Sequence, residues 1–506
     1  MGLLHRNVLT SVKILTRRAA LKGSRCFSAS AIKLSDDKDS KRQPGVYDTK
    51  DIGKLFKDEW KRMTTDHTNP GSRPLGPVVP RETDIAIIGG GAMGSAVAYW
   101  LTHRLAGLLK VHVIERDHCY TRAATVLSCG GLRQQFSMPE NIEMSLFTAD
   151  FFRNINNYLG IEGEDPPDLQ FNPNGYLFMA TDKGKDTLIS NHAVQQRLGA
   201  KVDLMNREKL QQEFPWLNAS DIELASYGLQ NEGYFDPWAL LCAMRKKAQS
   251  LGAVFVKGEA VGFHYKDGAY EFKDGKTTRR QILDSVDVKA DDGLIYPMKF
   301  SAVVNCAGPW AGEVARLAGI GDKDRRDANY MPLPVEPRKR YVFVFHCPDG
   351  PGLDMPMMID PSGTYVRREG LGGHYICGVS PTPPPHQEQE PDTTDLSVDY
   401  EFFTEHVWPI LANRVPAFEC LKLKSAWAGY YDYNYYDQNL IIGNHPYYNN
   451  MLMAVGSSGH GIQHSPAIGR AISELVVDDE YKTIDLSRFS FDRVLDDEPV
   501  YEHNIV

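Results

Sequence analysis

The 506-residue chain has no C-x-x-C pair, no H-E-x-x-H, no uninterrupted apolar run of membrane-spanning length and no acidic residue before Asp36. Each absence excludes something. The eight cysteines, at 26, 119, 129, 242, 306, 347, 377 and 420, are scattered. That fits free thiols in a reducing compartment, not a disulfide framework or a zinc site. The fifteen histidines are scattered as well, so no metal is expected. The apolar stretch from Ile85 to Leu109 is broken by close glycines, His103 and Arg104, whereas a span needs about 20 apolar residues without such breaks. A net charge of −9 argues against a nucleic-acid partner.

The early lack of acids is itself a signal. Residues 1–30 carry Arg6, Lys13, Arg17, Arg18, Lys22 and Arg25 and no Asp or Glu. Leu3, Leu4, Val8, Val12, Ile14 and Leu15 can line one helical face opposite those bases. This is the composition of a mitochondrial transit peptide, expected over 1–27 with cleavage after Arg25-Cys26-Phe27. Lys13, Arg17 and Arg18 interrupt the apolar core that a secretory signal would need. Residues 28–81 read as a flexible linker, Pro- and Gly-rich at 69–77, with one short helix near Ile52 to Met63.

Beyond the linker, Asp84-Ile-Ala-Ile-Ile-Gly-Gly-Gly-Ala-Met-Gly94 reads as a buried strand running into a glycine turn. Gly89, Gly91 and Gly94 fit G-x-G-x-x-G, and Ala92 to Arg104 has helical composition. The first glycine permits the tight turn, the second lets the backbone approach a pyrophosphate, and the third lets the helix pack on the strand. The helix N-terminus offers N–H groups and partial positive charge to phosphates. Lys110 to Glu115 is the next strand, and Glu115 stands where an acid accepts ribose hydroxyls. Strand, turn, helix and acid together define a dinucleotide site.

Helical patterns follow at Glu140 to Tyr158, Asp186 to Leu198, Pro237 to Leu251 and Ser465 to Val477. Strand patterns occur at 175–180, 253–257, 300–305, 340–346, 363–368, 374–379 and 451–455. Nucleotide-domain pieces therefore flank other material more than once. The expected class is α/β: a discontinuous Rossmann-like cofactor domain with an inserted mixed-sheet α+β substrate or cap domain. Cofactor-domain parts are placed at 82–160, 233–330 and 431–490. The insert falls at 161–232 and 331–430, and a C-terminal tail at 491–506.

Several ordered motifs carry a resemblance. They are Ile87 to Gly94, Gly130-Gly-Leu-Arg-Gln-Gln-Phe136, Gly233-Tyr-Phe-Asp-Pro237, Val304-Asn-Cys-Ala-Gly-Pro-Trp310, Trp427-Ala-Gly-Tyr-Tyr-Asp432 and Gly456-Ser-Ser-Gly-His-Gly461. This set resembles the D-amino-acid oxidase superfamily, and within it the sarcosine and dimethylglycine oxidoreductase branch. The resemblance implies FAD, with Gly89, Gly91, Ala92, Met93, Gly94, Glu115 and Arg116 at the AMP end. Ala260 and Val261 would meet the adenine, and Ala307, Gly308 and Trp310 would lie beside the pyrophosphate. Ser128, Gly130, Gly131 and Arg133 would pass over the flavin. Gly456, Ser458, Gly459, His460, Gly461 and Ile462 would form the last flavin loop, with His460 either donating a hydrogen bond or packing. Arg133 is the one catalytic candidate, a cation able to stabilise negative charge on reduced flavin.

Departures from the family pattern matter. Covalent relatives attach flavin through a His in the first loop or a Cys after the Trp-Ala-Gly motif. Here Val126-Leu-Ser128 and Tyr430-Tyr431 stand there, so FAD is expected to be non-covalent. Sarcosine-oxidising relatives clamp a carboxylate with cations at the positions of Phe136 and Gln463. Arg338, Lys339, Arg340, Arg367 and Arg368 are possible substitutes, although clustered bases on strands are usually solvated. The tyrosines at 430–436 suit an amine pocket, a buried hairpin or a docking surface equally. The 427–436 stretch and Gly459-His-Gly-Ile-Gln463 resemble most closely a mitochondrial branch that serves assembly of respiratory complex I. That likeness implies complex I subunits or assembly intermediates as partners, with peripheral attachment at the matrix side of the inner membrane. The alternative is an active oxidoreductase acting on a C–N bond of a small secondary amine or amino acid.

Overall fold

The computed structural model describes residues 79–105, 107–271, 277–324, 327–380 and 391–503. The expected transit peptide, and the linker up to residue 78 with its short helix, lie outside them.

Two eight-stranded sheets organise the chain. The first runs, edge to edge, Ile295–Lys299, Thr277–Ala290, Val254–Glu271, Val111–Glu115, Ile85–Ile88, Ala302–Asn305, Met451–Val455 and Ile441–Asn444. Its central strands are parallel, with Ile85 in register with Val111 on one side and Ala302 on the other. Ile85 to Ile88 are all buried, as continuous apolar runs are in a parallel sheet covered on both faces. Helix Ala92–Leu105 returns from the first strand to the second. Helix Gly461–Asp478 packs closely on it: a Cβ on Gly469 would lie 2.5 Å from the Ala96 backbone. Pro466 inside the later helix cannot donate to Ile462 O. Ser465 Oγ donates there instead at 2.9 Å, and Pro466 O accepts Trp100 Nε1–H at 2.8 Å.

The second sheet runs Lys422–Asn434, Val335–His346, His374–Gly378, Tyr365–Glu369, Met357–Ile359, Tyr176–Ala180, Leu224–Gly228 and Val202–Asn206. It is antiparallel except where Met357–Ile359 pairs with Tyr176–Ala180. Its strands come from 176–228 and 335–434, so the chain returns to the first sheet after Asn434, not at residue 430. The long hairpin Val254–Glu271 with Thr277–Ala290 is larger than the strand expected at 253–257. The helix expected at 140–158 is two helices, Pro139–Arg153 and Ile155–Leu159, divided at Asn154.

The expected C-terminal tail is docked as far as it is described. Arg493 is buried and forms two hydrogen bonds with the Asp437 carboxylate. Glu502 accepts from Ser137 N, Ser137 Oγ, Met138 N and Asn141 Nδ2. It thereby caps helix Pro139–Arg153 from a distant part of the chain, where negative charge is favoured.

Candidate functional site

A cavity of about 550 Å³ opens at the carboxyl ends of the parallel strands, the place where open α/β sheets bind ligands. Ile88, Ile114 and Cys306 line it as their strands end. The glycine turn is built as the motif requires. Gly89 has φ +98°, and a Cβ there would fall 2.3 Å from Cys306 O. A Cβ on Gly94 would lie 1.8 Å from Gly89 O, which is how the helix sits on the turn. Gly91 faces the cavity, with only Thr125 Oγ1 near its missing Cβ, at 3.2 Å. Thr125 Oγ1 also accepts Ala92 N–H at 3.0 Å.

Glu115 accepts Gly90 N–H at 2.7 Å through one carboxylate oxygen and Asp117 N–H at 2.8 Å through the other. Burial raises its pKa, while those two backbone donors oppose the rise. One donor on each oxygen leaves lone pairs for two vicinal hydroxyls. Positive charge collects nearby. The Arg116 guanidinium lies 3.9 Å from the centre of the Trp310 ring, and Arg122 lies between Trp310 and Tyr430 at 5.6 and 5.3 Å.

Of the residues expected from sequence, Gly89, Gly91, Ala92, Met93, Glu115, Arg116, Ser128, Ala260, Ala307, Gly308, Trp310, Gly459, Gly461 and Ile462 line this cavity. Gly94 supports the turn from behind. Val261 does not line the cavity: a β-bulge falls between Ala260 and Gly262, and Gly258, Glu259 and Ala260 form that wall. Gly130 and Gly131 pack on other chain segments, where a Cβ would fall 2.1 Å from Phe235 O and 1.7 Å from Tyr176 Oη respectively. Gly456 packs on Val335 and Asn434, and Ser458 Oγ accepts Asn434 N–H at 2.9 Å. Sequence reasoning missed Asp117, Tyr120, Arg122 and Thr125 on the walls; Tyr431 was offered only among the 430–436 tyrosines, and Asp432 and Ser457 stood in motifs without a role of their own. Asp432 is buried and accepts from Ser457 N at 2.9 Å and Ser457 Oγ at 2.8 Å, and burial raises its pKa. Tyr431 and Asp432 end the Trp427-to-Asp432 motif, which is the sequence signal for their place here.

Arg133 and His460 sit together outside that lining. Arg133 Nη2 lies 3.1 Å from His460 Nε2. Arginine only donates, so His460 accepts at Nε2 and carries its proton on Nδ1. Burial, then the Arg133 charge, then His464 hold His460 well below the ordinary imidazole pKa. The Arg133 guanidinium also lies over Phe136 at 4.6 Å and Phe178 at 4.9 Å. Its backbone N–H donates to Gln463 Oε1 at 2.9 Å. Both clamp positions of the sarcosine-oxidising pattern thus have structural work: Gln463 holds Arg133, and Phe136 packs edge-on to His460 at 5.1 Å.

The five strand bases are not simply solvated. Lys339, Arg367 and Arg368 are buried. Lys339 pairs with Asp395, Arg338 with Glu336 and Arg367 with Glu369. Arg368 donates to Pro351 O, Leu371 O and Tyr375 Oη. Arg340 donates to Tyr431 Oη at 3.0 Å. Burial follows from their places on inner strands of the second sheet, where each finds an acceptor. The seven described cysteines are free thiols. Among the described residues no group of three or more metal-ligating side chains converges, and no helix is long and apolar enough to cross a membrane.

Known proteins place this architecture. Residues 84–475 match the DAO family model, FAD dependent oxidoreductase. FAD-dependent oxidoreductase domain-containing protein 1 of Xenopus laevis is 52% identical, over 86% of this chain and 87% of that one. Dimethylglycine dehydrogenase of Rattus norvegicus is 25% identical, over 81% of this chain and 44% of that longer one. The crystal structure of L-proline dehydrogenase from P. horikoshii superposes with a TM-score of 0.67 at 26% identity, covering 83% of this chain and all of that one. The chain belongs to the DAO family of FAD-dependent oxidoreductases, and FAD is its cofactor. The cavity fits that group. Gly91 leaves the wall open at the turn, and Tyr120 presents a buried hydroxyl with no hydrogen-bonding partner among the described residues. Glu115 suits a ribose, while the helix N-terminus and Arg116 suit a diphosphate.

Proposed function

We propose that this chain is a mitochondrial flavoprotein that promotes assembly of respiratory complex I, with FAD as the ligand that holds its native fold. One observation carries the reading: the dinucleotide cavity is complete, yet Phe136 and Gln463 fill the substrate-clamp positions as structural parts. A ligand bound only by the native state stabilises that state by mass action. The acid-free basic segment at 1–30 supports mitochondrial import and removal near Phe27. The 427–436 and 459–463 motifs support the assembly role, with complex I subunits or intermediates as partners at the matrix face of the inner membrane. Knockout cells should lose complex I specifically and regain it on re-expression. Complex I at normal levels in the knockout would remove the reading.

The second reading is an FAD-dependent oxidoreductase acting on a C–N bond of a small secondary amine or amino acid. Arg133 favours it, as an enclosed cation between aromatic rings able to hold one anionic group. FAD, when bound, supplies the two-electron acceptor for such an oxidation. The chain's own part is to exclude water with Phe136 and Phe178 and to keep His460 neutral beside the cation. Anaerobic mixing with sarcosine, dimethylglycine and an amino-acid panel tests this by flavin bleaching. An unbleached flavin throughout would reject it for those substrates.

A further inference from the structure

The segment from Ala123 to Gly131 walls the cavity through Ala123, Ala124, Thr125 and Ser128. It forms almost no regular structure of its own, so its shape depends on outside donors. Three of its carbonyls have them. Trp427 Nε1–H donates to Leu127 O at 2.9 Å, Arg367 Nε–H to Cys129 O at 2.9 Å, and Phe235 N–H to Gly130 O at 2.8 Å. The third is a backbone bond beside the short pairing of Gly131 with Tyr234. The first two are side chains reaching across from the second sheet.

Arg367 is the unexpected one. It is buried, and a buried guanidinium costs desolvation that an apolar residue at this strand position would avoid. Its remaining contacts do not explain its presence. Glu369, its ion-pair partner, has a half-exposed side chain, and Arg368 O is a neighbouring backbone group reached at 2.8 Å. The guanidinium carbon lies 4.5 Å from the centre of the Tyr234 ring, on the segment that pairs with Gly131 and Leu132. A cationic donor makes a stronger bond to a carbonyl than a neutral one. Gly130, next in the chain, is at φ +70° with no room for a Cβ.

We infer that Arg367 is a positioning residue for FAD: through the Cys129 carbonyl it fixes the cavity wall formed by Thr125 and Ser128. The linkage continues inside the loop. Ser128 Oγ donates to Thr125 O at 3.0 Å, and Thr125 Oγ1 accepts the Ala92 N–H of the phosphate-facing helix. Release of Cys129 O therefore loosens the wall down to the glycine turn. The inference rests on the FAD assignment and not on any substrate.

The test uses the FAD-loaded full chain and reads the visible flavin spectrum, flavin fluorescence and the FAD dissociation rate. Arg367→Gln should fold, take up FAD, alter the flavin spectrum and release FAD about tenfold faster, the effect of losing one charged hydrogen bond. Arg367→Lys should fall between that variant and wild type, because an ammonium keeps the charge without the fork. Glu369→Gln, which removes the ion pair and leaves the loop contact, should match wild type. A wild-type spectrum and release rate in Arg367→Gln would overturn the inference, as would a Glu369→Gln variant with the same defect. Should Arg367→Gln not fold, Arg367→Lys decides: wild-type spectrum and release there overturn the inference. A wild-type chain that takes up no FAD would remove the cofactor assignment and this inference together.

Discussion

Gln463 Oε1 accepts the backbone N–H of Arg133 at 2.9 Å across 330 positions of sequence. That bond ties the start of helix Gly461–Asp478 to the segment that leaves the cavity wall. The same segment is tied again by the Arg133 side chain on His460. A lysine in place of Gln463 would bring a second buried cation toward Arg133 and leave the Arg133 N–H without its acceptor.

Gln463→Lys should therefore destabilise the FAD-loaded protein more than Gln463→Leu does. The leucine variant loses one buried acceptor, roughly 1–3 kcal/mol, and the lysine adds like-charge repulsion at a desolvated site. Thermal melts of both variants measure the difference. A stable lysine variant whose flavin is bleached by sarcosine would show that the clamp can be restored by one residue.

FAD should come away from the protein intact on acid precipitation. Val126-Leu127-Ser128 and Tyr430-Tyr431 stand at the positions where the family resemblance puts the attachment His or Cys of covalent relatives, and of these Ser128 and Tyr431 line the cavity. Cys306 does line the cavity, but burial drives its thiol far above the ordinary value and leaves it a poor nucleophile. Yellow colour that stays in the pellet would contradict this.

The glycine turn, its flanking strands and Glu115 were legible in the sequence because their signals are local: residue type at fixed spacing sets the backbone. The rest of the cavity depends on distant pieces meeting. Tyr431 and Asp432 arrive from the second sheet's last strand and Ser457 from the turn after Met451–Val455. No spacing rule connects them to Gly89. The burial of Arg367 and Arg368 was misread for a related reason. On a strand of the second sheet, basic side chains suggest solvent, and only the fold brings Cys129 O and Pro351 O within reach. The Val254–Glu271 hairpin escaped because its distal half is polar and lacks an apolar alternation strong enough to mark a strand.

Gly91→Val and Gly94→Ala should separate cofactor binding from folding. A Cβ at 91 has only Thr125 Oγ1 within 4 Å, at 3.2 Å, so the fold should persist while the backbone approach to the pyrophosphate is blocked. A methyl at 94 has the Gly89 carbonyl in its place, and the helix must move off the strand. Soluble, flavin-poor protein is expected from the first and loss of folded protein from the second. Normal flavin content in Gly91→Val would contradict the site, and so would its retention in Glu115→Ala.

Glu232 gives the stability a pH dependence whose sign can be worked out. It is fully buried, accepts Gln134 N–H at 2.7 Å and Gln135 Nε2–H at 2.8 Å, and has Arg133 nearby. Burial outweighs those favourable contacts and pushes its pKa from 4.5 up to about 7. The folded state therefore holds this proton more tightly than the unfolded chain. The contribution is fully present below pH 4.5 and is lost as pH rises to about 7, a change of roughly 3 kcal/mol at one pKa unit per ~1.4 kcal/mol. Glu232→Gln has the same shape and no charge, which matters because Gly228 lies directly against the carboxylate. Gln135 Oε1 is buried without a partner among the described residues, so a flip of that amide can meet the new N–H group, at the loss of the Gln135 Nε2 bond to Tyr176 O at 3.1 Å. Denaturant unfolding of the FAD-loaded protein from pH 4.5 to 8 should show a downward stability trend in wild type that is absent in Glu232→Gln. The variant should be the more stable of the two at the alkaline end. Parallel pH profiles for the two proteins would show that Glu232 does not titrate in this window.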